Sequence, residues 1–346
     1  MVGEVSLNLN PTWSAMEMAI LRHYASTTRC TSAGELILVA NGPVNHFGGE
    51  VNRRWRDALY RLTALQRRFP AARMLTRLGD PAVPWPSRRC LERKKVKWPA
   101  GTDFGAIDVD LFDRTPPLAL SLFRAPPFDC PWAFAVCHHI TVPRAPRGGG
   151  APGFARWRAR EHDLVYAGSN RSPARQKRNA LFLGDPQLKS VSYGISPRLC
   201  AGWRCHEARP RIAMGEVCAA HERARFSLIT GDPRHASWQV GYTIRVLQTL
   251  ETGALCAFHP EFPREFIFDG NPRADMLAFE SPAALAAAIR GMTEARYREL
   301  LALQREAARR CRRRAAAEDP LARLWRGAAA DRPPSTVTTP IRDRAT

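Results

Sequence analysis

Three basic residues cluster where a predicted strand passes into a predicted helix. The apolar run at residues 163–167 is followed by a turn at Gly168 and then by Arg171, Arg175 and Lys177. Cationic side chains beside the free N–H groups of a helix start are suited to binding a diphosphate. The alternative is a solvated basic helix face, because arginine is scattered throughout the chain. We favour the phosphate site because of where these residues lie.

A histidine pair closes another predicted strand, at residues 132–142. His138 and His139 stand where a loop begins, and one of them could orient or deprotonate a hydroxyl group. His46 is a further candidate for this role. A histidine pair at a strand end can equally be structural.

Two short segments could contact an acceptor. Gly48 and Gly49 stand where a strand passes into a helix, and adjacent glycines let a ligand approach the backbone. A plain tight turn is the alternative. Lys94, Lys95 and Lys97, three of the chain's five lysines, lie between two tryptophans in a basic segment that also fits nucleic-acid stacking and phosphate contact. A solvated loop explains that segment equally well.

No bound metal is predicted. The histidine pair has no acidic or cysteine partner at ligand spacing, and Cys200, Cys205 and His206 lack the second half of a zinc site.

The elements that position these residues alternate between strand and helix. In the first half, predicted strands at residues 35–40, 72–78, 104–112 and 132–142 flank an amphipathic helix that starts at residue 50. Residues 143–153 have the composition of a linker. The second half continues with a helix at 174–183, strands at 224–230 and 275–281, and a helix capped by Ser281. This alternation predicts an α/β fold with two Rossmann-like domains facing across a cleft.

The predicted boundaries follow from that linker. Residues 1–150 form one domain, residues 151–320 form the second, and residues 321–346 form a disordered tail. With 346 residues, each domain is long enough to bury a core.

Composition limits the location and the partners. The sequence shows no spanning helix and no secretory signal, and nine scattered cysteines suit a reducing cytoplasm. The net charge of +20 attracts polyanions, nucleic acid above all. The competing explanation is a GC-rich genome, which produces arginine, alanine and proline without selection for binding.

The order of elements in the second half resembles the donor domain of GT-B glycosyltransferases. The segment "GYTIRVLQTLETGALCAF" places Arg245, Gln248 and Gly253 on the arginine, acidic residue and glycine of the pattern R-x-x-E-x-x-x-x-G. Gln248 departs from the usual glutamate, and an amide still hydrogen-bonds hydroxyl groups. The spore-maturation-type enzymes and the phage DNA glucosyltransferases both look comparable.

That resemblance implies a reaction and a set of donor-binding residues. A hexose would pass from a nucleotide sugar, UDP-glucose in the first instance, to an acceptor such as modified bases in DNA. The implied donor site comprises Gly168, Arg171, Arg175, Lys177, Tyr242, Thr243, Arg245, Gln248 and Gly253. The histidines and the acceptor segments described above would serve the acceptor side.

Three other functions remain open. A basic nucleic-acid-binding protein with an inactive transferase core would explain Gln248. An epimerase of similar fold would turn over a nucleotide sugar without an acceptor. Asp108 and Asp110 form a nominal D-x-D pattern of metal-dependent GT-A enzymes, although their position within residues 104–112 predicts an ordinary strand instead.

Overall fold

The computed structural model describes residues 3–7, 11–27, 35–40, 48–78, 98–121, 134–136, 153–168, 173–231 and 243–317. These residues form two parallel β-sheets with helices packed against them. The predicted α/β fold with two Rossmann-like sheets is confirmed.

The first sheet has its strands in chain order. It contains β1 (Gly3–Ser6), β2 (Leu36–Ala40), β3 (Arg73–Leu78), β4 (Leu118–Ser121) and β5 (Phe134–Val136). All four pairings are parallel. Its helices are α1 (Pro11–Thr27), α2 (Gly48–Arg68) and the short α3 (Leu111–Arg114).

Strand β2 shows why this sheet is covered on both faces. All five of its residues are buried. Ile37 and Val39 pack in the same cluster as Trp55 of α2, whereas Leu36 and Leu38 pack with the residues of α1. Because side chains alternate along a strand, an apolar run is buried on both sides only when helices lie on both faces.

The second sheet is doubly wound. It contains β6 (His162–Ala167), β7 (Ser190–Tyr193), β8 (His206–Arg209), β9 (Ala224–Ile229) and β10 (Leu255–Phe258). The spatial order is β10-β9-β6-β7-β8, and every pairing is parallel. The chain therefore winds outward from β6 to β8 and then returns to the other side of β6. This is the strand order of a dinucleotide-binding Rossmann fold.

Seven helices among the described residues accompany this sheet. They are α4 (Phe154–Arg158), α5 (Pro173–Leu183), α6 (Val217–Glu222), α7 (Ile244–Leu250), α8 (Glu265–Phe268), α9 (Pro282–Arg290) and α10 (Glu294–Ala317). The predicted cap of α9 is confirmed, because the Ser281 hydroxyl accepts a hydrogen bond from the Ala284 amide at 3.2 Å.

Two predicted strands are wrong. Residues 104–112 form turns and the start of α3, because aspartate side chains accept local backbone N–H bonds that compete with a strand. Asp103 accepts from Gly105 at 2.8 Å, and Asp108 accepts from Asp110 at 3.1 Å. Residues 275–281 contribute the end of a 3₁₀ helix (Pro272–Leu277) and one isolated bridge from Ala278 to Phe258.

The predicted linker separates the two sheets along the chain. Each sheet takes all its described strands from one side of residues 143–153, of which only residue 153 is described. Among the described residues, no helix combines the length and the apolar character needed to span a bilayer. The predicted tail, residues 321–346, lies outside the described residues.

Candidate functional site

The carboxyl edge of the second sheet is built around the point where the strand order reverses. Strands β6 and β9 are neighbours here, and their connections leave in opposite directions. In doubly wound sheets this crevice is where ligands bind. Gly168 follows β6, Gly194 follows β7 and Gly231 lies just beyond β9, so three glycines line the edge.

Arg245 occupies this crevice from the first turn of α7. Its Nε donates to the Ala167 carbonyl at 2.6 Å, and its guanidinium carbon lies 4.4 Å from the centre of the Tyr166 ring. Desolvation lowers the pKa of Arg245, the Tyr166 side chain opposes that shift, and the charge of Arg175 adds to it. The side chain stays charged at neutral pH because a guanidinium titrates far above it. A fixed positive charge therefore lies at the end of β6.

Gly168 has a backbone conformation that favours glycine. Its φ is +146°, and a Cβ there would overlap the Arg245 guanidinium. The backbone and the guanidinium thus approach each other as closely as they do because no side chain intervenes.

A buried histidine lies behind this arginine. Among the described residues, no group hydrogen-bonds either ring nitrogen of His221, which is fully buried on α6. Desolvation lowers its pKa to about 3, and the charge of Arg245 adds to the shift. His221 is therefore neutral under ordinary conditions and does not compete with Arg245 for an anion.

Helix α5 holds the end of β9 through three side chains. Arg175 Nε donates to the Gly231 carbonyl at 3.2 Å, and Arg178 donates to the Thr230 carbonyl at 3.3 Å. The Thr230 hydroxyl donates to the buried Asn179 amide oxygen at 2.9 Å. The cation of Arg175 is thus held at the carboxyl edge by the backbone of the neighbouring strand.

His259 extends the same edge beyond β10. Its Nδ1 accepts the Glu261 amide at 3.4 Å, and Glu261 forms an ion pair with Arg178. Desolvation, followed by the charge of Arg178, lowers the pKa of His259 to about 4. This histidine is neutral at pH 7. The sequence analysis overlooked it, although it follows a predicted strand in the same way as His138 and His139.

The remaining predicted donor residues differ in position. Thr243 caps α7, because its hydroxyl accepts the Val246 amide at 3.3 Å. Gln248 is 2% exposed, so its amide lies inside the protein and not on its surface. Gly253 is buried before β10, and its carbonyl accepts the Tyr297 hydroxyl at 3.2 Å. Lys177 is exposed on α5.

Several predicted residues lie outside the described part of the chain. These are His46, Lys94, Lys95, Lys97, His138, His139, Arg171 and Tyr242. Gly48 and Gly49 form the start of α2, so the helix begins two residues earlier than predicted.

The first sheet contains a charged pair that the sequence analysis missed. Arg77, near the carboxyl end of β3, is 2% exposed, and its Nη1 lies 3.9 Å from the carboxylate of Glu17 on α1. None of its three nitrogens has a hydrogen-bond partner among the described residues. A buried guanidinium with so few contacts is costly.

Carboxylates and histidines come together at the opposite edge of the second sheet. Among the described residues, Glu161, His162 and Glu207 are the one group of three that could hold a metal ion. Arg209 already donates to both oxygens of Glu207, at 2.5 and 2.8 Å. The His206 ring lies between the hydroxyls of Ser190 and Ser192, at 2.7 and 3.0 Å, and no described cysteine joins it in a ligand set.

The fold is similar to that of solved structures of glycosyltransferases. The chain is similar to the phage T4 β-glucosyltransferase with bound UDP and Mn²⁺, with a TM-score of 0.67 and 14% identity over 93% of this chain and 98% of that one. It is also similar to the T4 enzyme in complex with UDP-glucose, with a TM-score of 0.65 and 13% identity over the same shares. The fold is GT-B. No family model and no curated protein matches the sequence.

The GT-B fold agrees with the resemblance inferred from the order of elements. Sequence identity of 13–14% over nearly the full length shows the fold and leaves the reaction to be argued from the site.

Proposed function

We propose that this protein transfers a hexose from UDP-glucose to an acceptor, and that the acceptor is a modified base in DNA. The observation that carries the proposal is the Arg245 guanidinium, which is held over Gly168 where the strand order reverses. The T4 enzyme, which shares the GT-B fold, is a DNA-modifying glucosyltransferase that binds UDP-glucose, and this similarity supports the proposal.

The main task in this chemistry is to stabilise the negative charge that develops on the departing diphosphate. Arg245 and Arg175 are preorganised for that task, since backbone carbonyls at the ends of β6 and β9 hold both side chains. Charges fixed before the reaction stabilise the transition state without reorganisation. We assign Arg171 to the same role and give Lys177, which is exposed, a lesser one.

The other assignments follow from the resemblance. Gln248 would hold the ribose or sugar hydroxyls, with Tyr242, Thr243 and Gly253 shaping the site around it. His138 or His139, with His46 as a further candidate, would orient or deprotonate the acceptor hydroxyl. Gly48, Gly49, Lys94, Lys95 and Lys97 would contact the acceptor, and the reaction would take place in the cytoplasm, that of the host if the protein is viral.

The described residues offer no evident ligand set for a cation beside the donor. Their one candidate group, Glu161, His162 and Glu207, lies at the amino edge of the sheet, away from Arg245. In the proposal, the guanidinium groups of Arg245 and Arg175 stabilise the leaving diphosphate.

A second candidate function is nucleic-acid binding by an inactive transferase core. The observation in its favour is Gln248, which replaces the carboxylate of the GT-B pattern and is 2% exposed. An amide there cannot supply charge, although it retains hydrogen bonding.

One assay separates these functions. UDP release from UDP-glucose is followed with duplex DNA containing 5-hydroxymethylcytosine, with unmodified duplex and without DNA. We expect release only with the modified duplex, and a loss on the order of 10²-fold in Arg245→Met. The control is Arg290→Met, which removes an exposed arginine at the end of α9.

Each alternative has its own signature in this assay. No turnover with any nucleotide sugar, together with salt-sensitive DNA binding, would refute the transferase and support the binding protein. Conversion of the sugar without an acceptor would identify an epimerase.

A further inference from the structure

Helix α10, the last helix among the described residues, has two different faces. Its inner face carries mostly apolar residues together with Gln304, whose amide oxygen accepts the Cys256 N–H at 2.6 Å and whose amide nitrogen donates to the Ala254 carbonyl at 2.9 Å. These bonds occupy backbone groups along β10, which is an edge strand. The helix is therefore docked firmly, and its outer face has a defined position.

The outer face meets the end of α7 in a small pocket. The cavity has a volume of about 210 Å³ and is lined by Leu250, Glu251, Arg305, Ala308, Arg309 and Arg312. Arg305, Arg309 and Arg312 are four and three residues apart, so the helix brings them to one face. We call these six residues the arginine pocket.

The cations of the arginine pocket are only partly neutralised. Arg312 forms an ion pair with Glu251, and Arg309 lies 2.9 Å from the carboxylate of Glu306. Arg305 forms no hydrogen bond or ion pair with any described residue. The sequence from Arg305 to Arg314 contains six arginines and one glutamate. The pocket therefore presents excess positive charge in a concave surface.

We infer that the arginine pocket binds a phosphate group of a nucleic-acid backbone. Guanidinium groups match phosphate oxygens in geometry and charge. Several arginines around one concave pocket can contact a phosphate from more than one side, which arginines on a flat surface cannot do. The identity of the polyanion rests on the proposed function, which requires DNA as the acceptor.

A lipid surface fits the pocket less well than a nucleic acid. Stable binding to a membrane interface needs apolar side chains that insert beside the charges. The large exposed apolar residues among the described ones are Phe104, Leu181 and Leu199, and none lies on α10. The outer face of the helix is polar, as phosphate backbone contacts require.

The pocket is distinct from the donor site. It adjoins Leu250 and Glu251 at the end of α7, whereas Arg245 lies in the first turn of that helix. A phosphate bound there would add a contact that does not depend on base sequence and would leave the donor site free.

The test is the salt dependence of DNA binding without any donor. Binding of a short unmodified, fluorescently labelled duplex is measured over a series of salt concentrations. Each lost phosphate contact should lower the slope of log K against log salt by about 0.9. We expect that decrease for Arg305→Ala, and no larger total decrease for Arg305→Ala/Arg309→Ala, because the pocket binds one phosphate group.

The matched control is Arg298→Ala. It removes one exposed arginine from the same helix, at a position where Glu294 pairs with it at 2.5 Å. The control should leave the slope unchanged. Equal changes of the slope in Arg298→Ala and Arg305→Ala would overturn the inference, because the DNA would then respond to the net charge of the protein and not to the arginine pocket.

Two further measurements complete the experiment. Circular dichroism must show that each variant is folded, and vesicles of phosphatidylglycerol must bind the wild type and Arg305→Ala equally. A defect of Arg305→Ala on vesicles with unchanged DNA binding would overturn the inference. UDP release from UDP-glucose reports on the donor site separately, so the pocket and the proposed function can fail independently.

Discussion

Arginine is used in two different ways in this protein. At the carboxyl edge of the second sheet, Arg245 is held by the Ala167 carbonyl and the Tyr166 ring. A side chain at the neighbouring Gly168 would overlap its guanidinium. On α10, Arg305 is partly exposed and forms no hydrogen bond or ion pair with any described residue. Arg245 is therefore part of the packing of the protein, whereas Arg305 lies on its surface. A positive charge alone therefore does not identify a preorganised site. The contacts that fix the position of the charged group are the better indicator.

The largest effect should come from replacing Gly168. Gly168→Ala forces a side chain into a φ of +146° and against the Arg245 guanidinium. We expect a decrease in the free energy of unfolding of about 2–4 kcal/mol, measured by urea denaturation, and loss of donor turnover. Gly202→Ala is the matched control, because its φ is +92° and no atom lies within 4 Å of the new Cβ. If both variants lose the same stability, the contact with Arg245 contributes nothing.

A loss of stability at acidic pH should be the intermediate effect. The pKa of His221 is about 3 in the folded state, below its ordinary value of 6.5, so the unfolded chain binds more protons between these values. The free energy of unfolding should fall as pH drops below about 6.5, and at pH 5 His221 alone should account for about 2 kcal/mol. His221→Leu should remove that part of the decrease while His206 and His259 keep theirs. The measurement is urea unfolding at pH 7.5 and pH 5, and an unchanged acid sensitivity in the variant would contradict the prediction.

The smallest effect should follow from changing Arg305. Arg305→Ala removes a side chain that has no ion pair among the described residues, so the free energy of unfolding should stay within about 0.5 kcal/mol of wild type. A thermal unfolding scan is sufficient to test this. A larger loss would mean that Arg305 supports the packing of α10 and that the contrast with Arg245 is smaller than we describe.

The sequence predicted the parts of this fold that are apolar and regular. Strand β2 and helix α2 stand out by their periodicity, and the segment from Arg245 to Phe258 is a helix followed by a strand as its pattern indicates. Arg245 lies beside the turn after β6, and its hydrogen bond to the Ala167 carbonyl could not be foreseen from the sequence. Its assignment to the donor site stays a prediction.

Polar strands were beyond the reach of the same reasoning. Strands β7 (SVSY) and β8 (HEAR) carry few apolar residues. β7 is buried, whereas β8, at the edge of the sheet, is only partly buried, and the hydroxyls of Ser190 and Ser192 on β7 pair with the His206 ring on β8. The Ser190 hydroxyl donates to the Leu183 carbonyl at 2.7 Å and also contacts His206. Such pairings join residues that are separated along the chain, and hydrophobic periodicity cannot predict them. The pair of Arg77 and Glu17 escaped prediction for the same reason.

Helix α5 holds the carboxyl edge together in a way that affects its motion. Arg175, Arg178 and Asn179 contact the end of β9, and Arg178 also reaches Glu261 beyond β10. A helix that is bound to two strand ends cannot open at one of them without loosening the other. The backbone amides of this edge should therefore exchange their hydrogens with solvent as one cooperative unit, with a shared opening free energy.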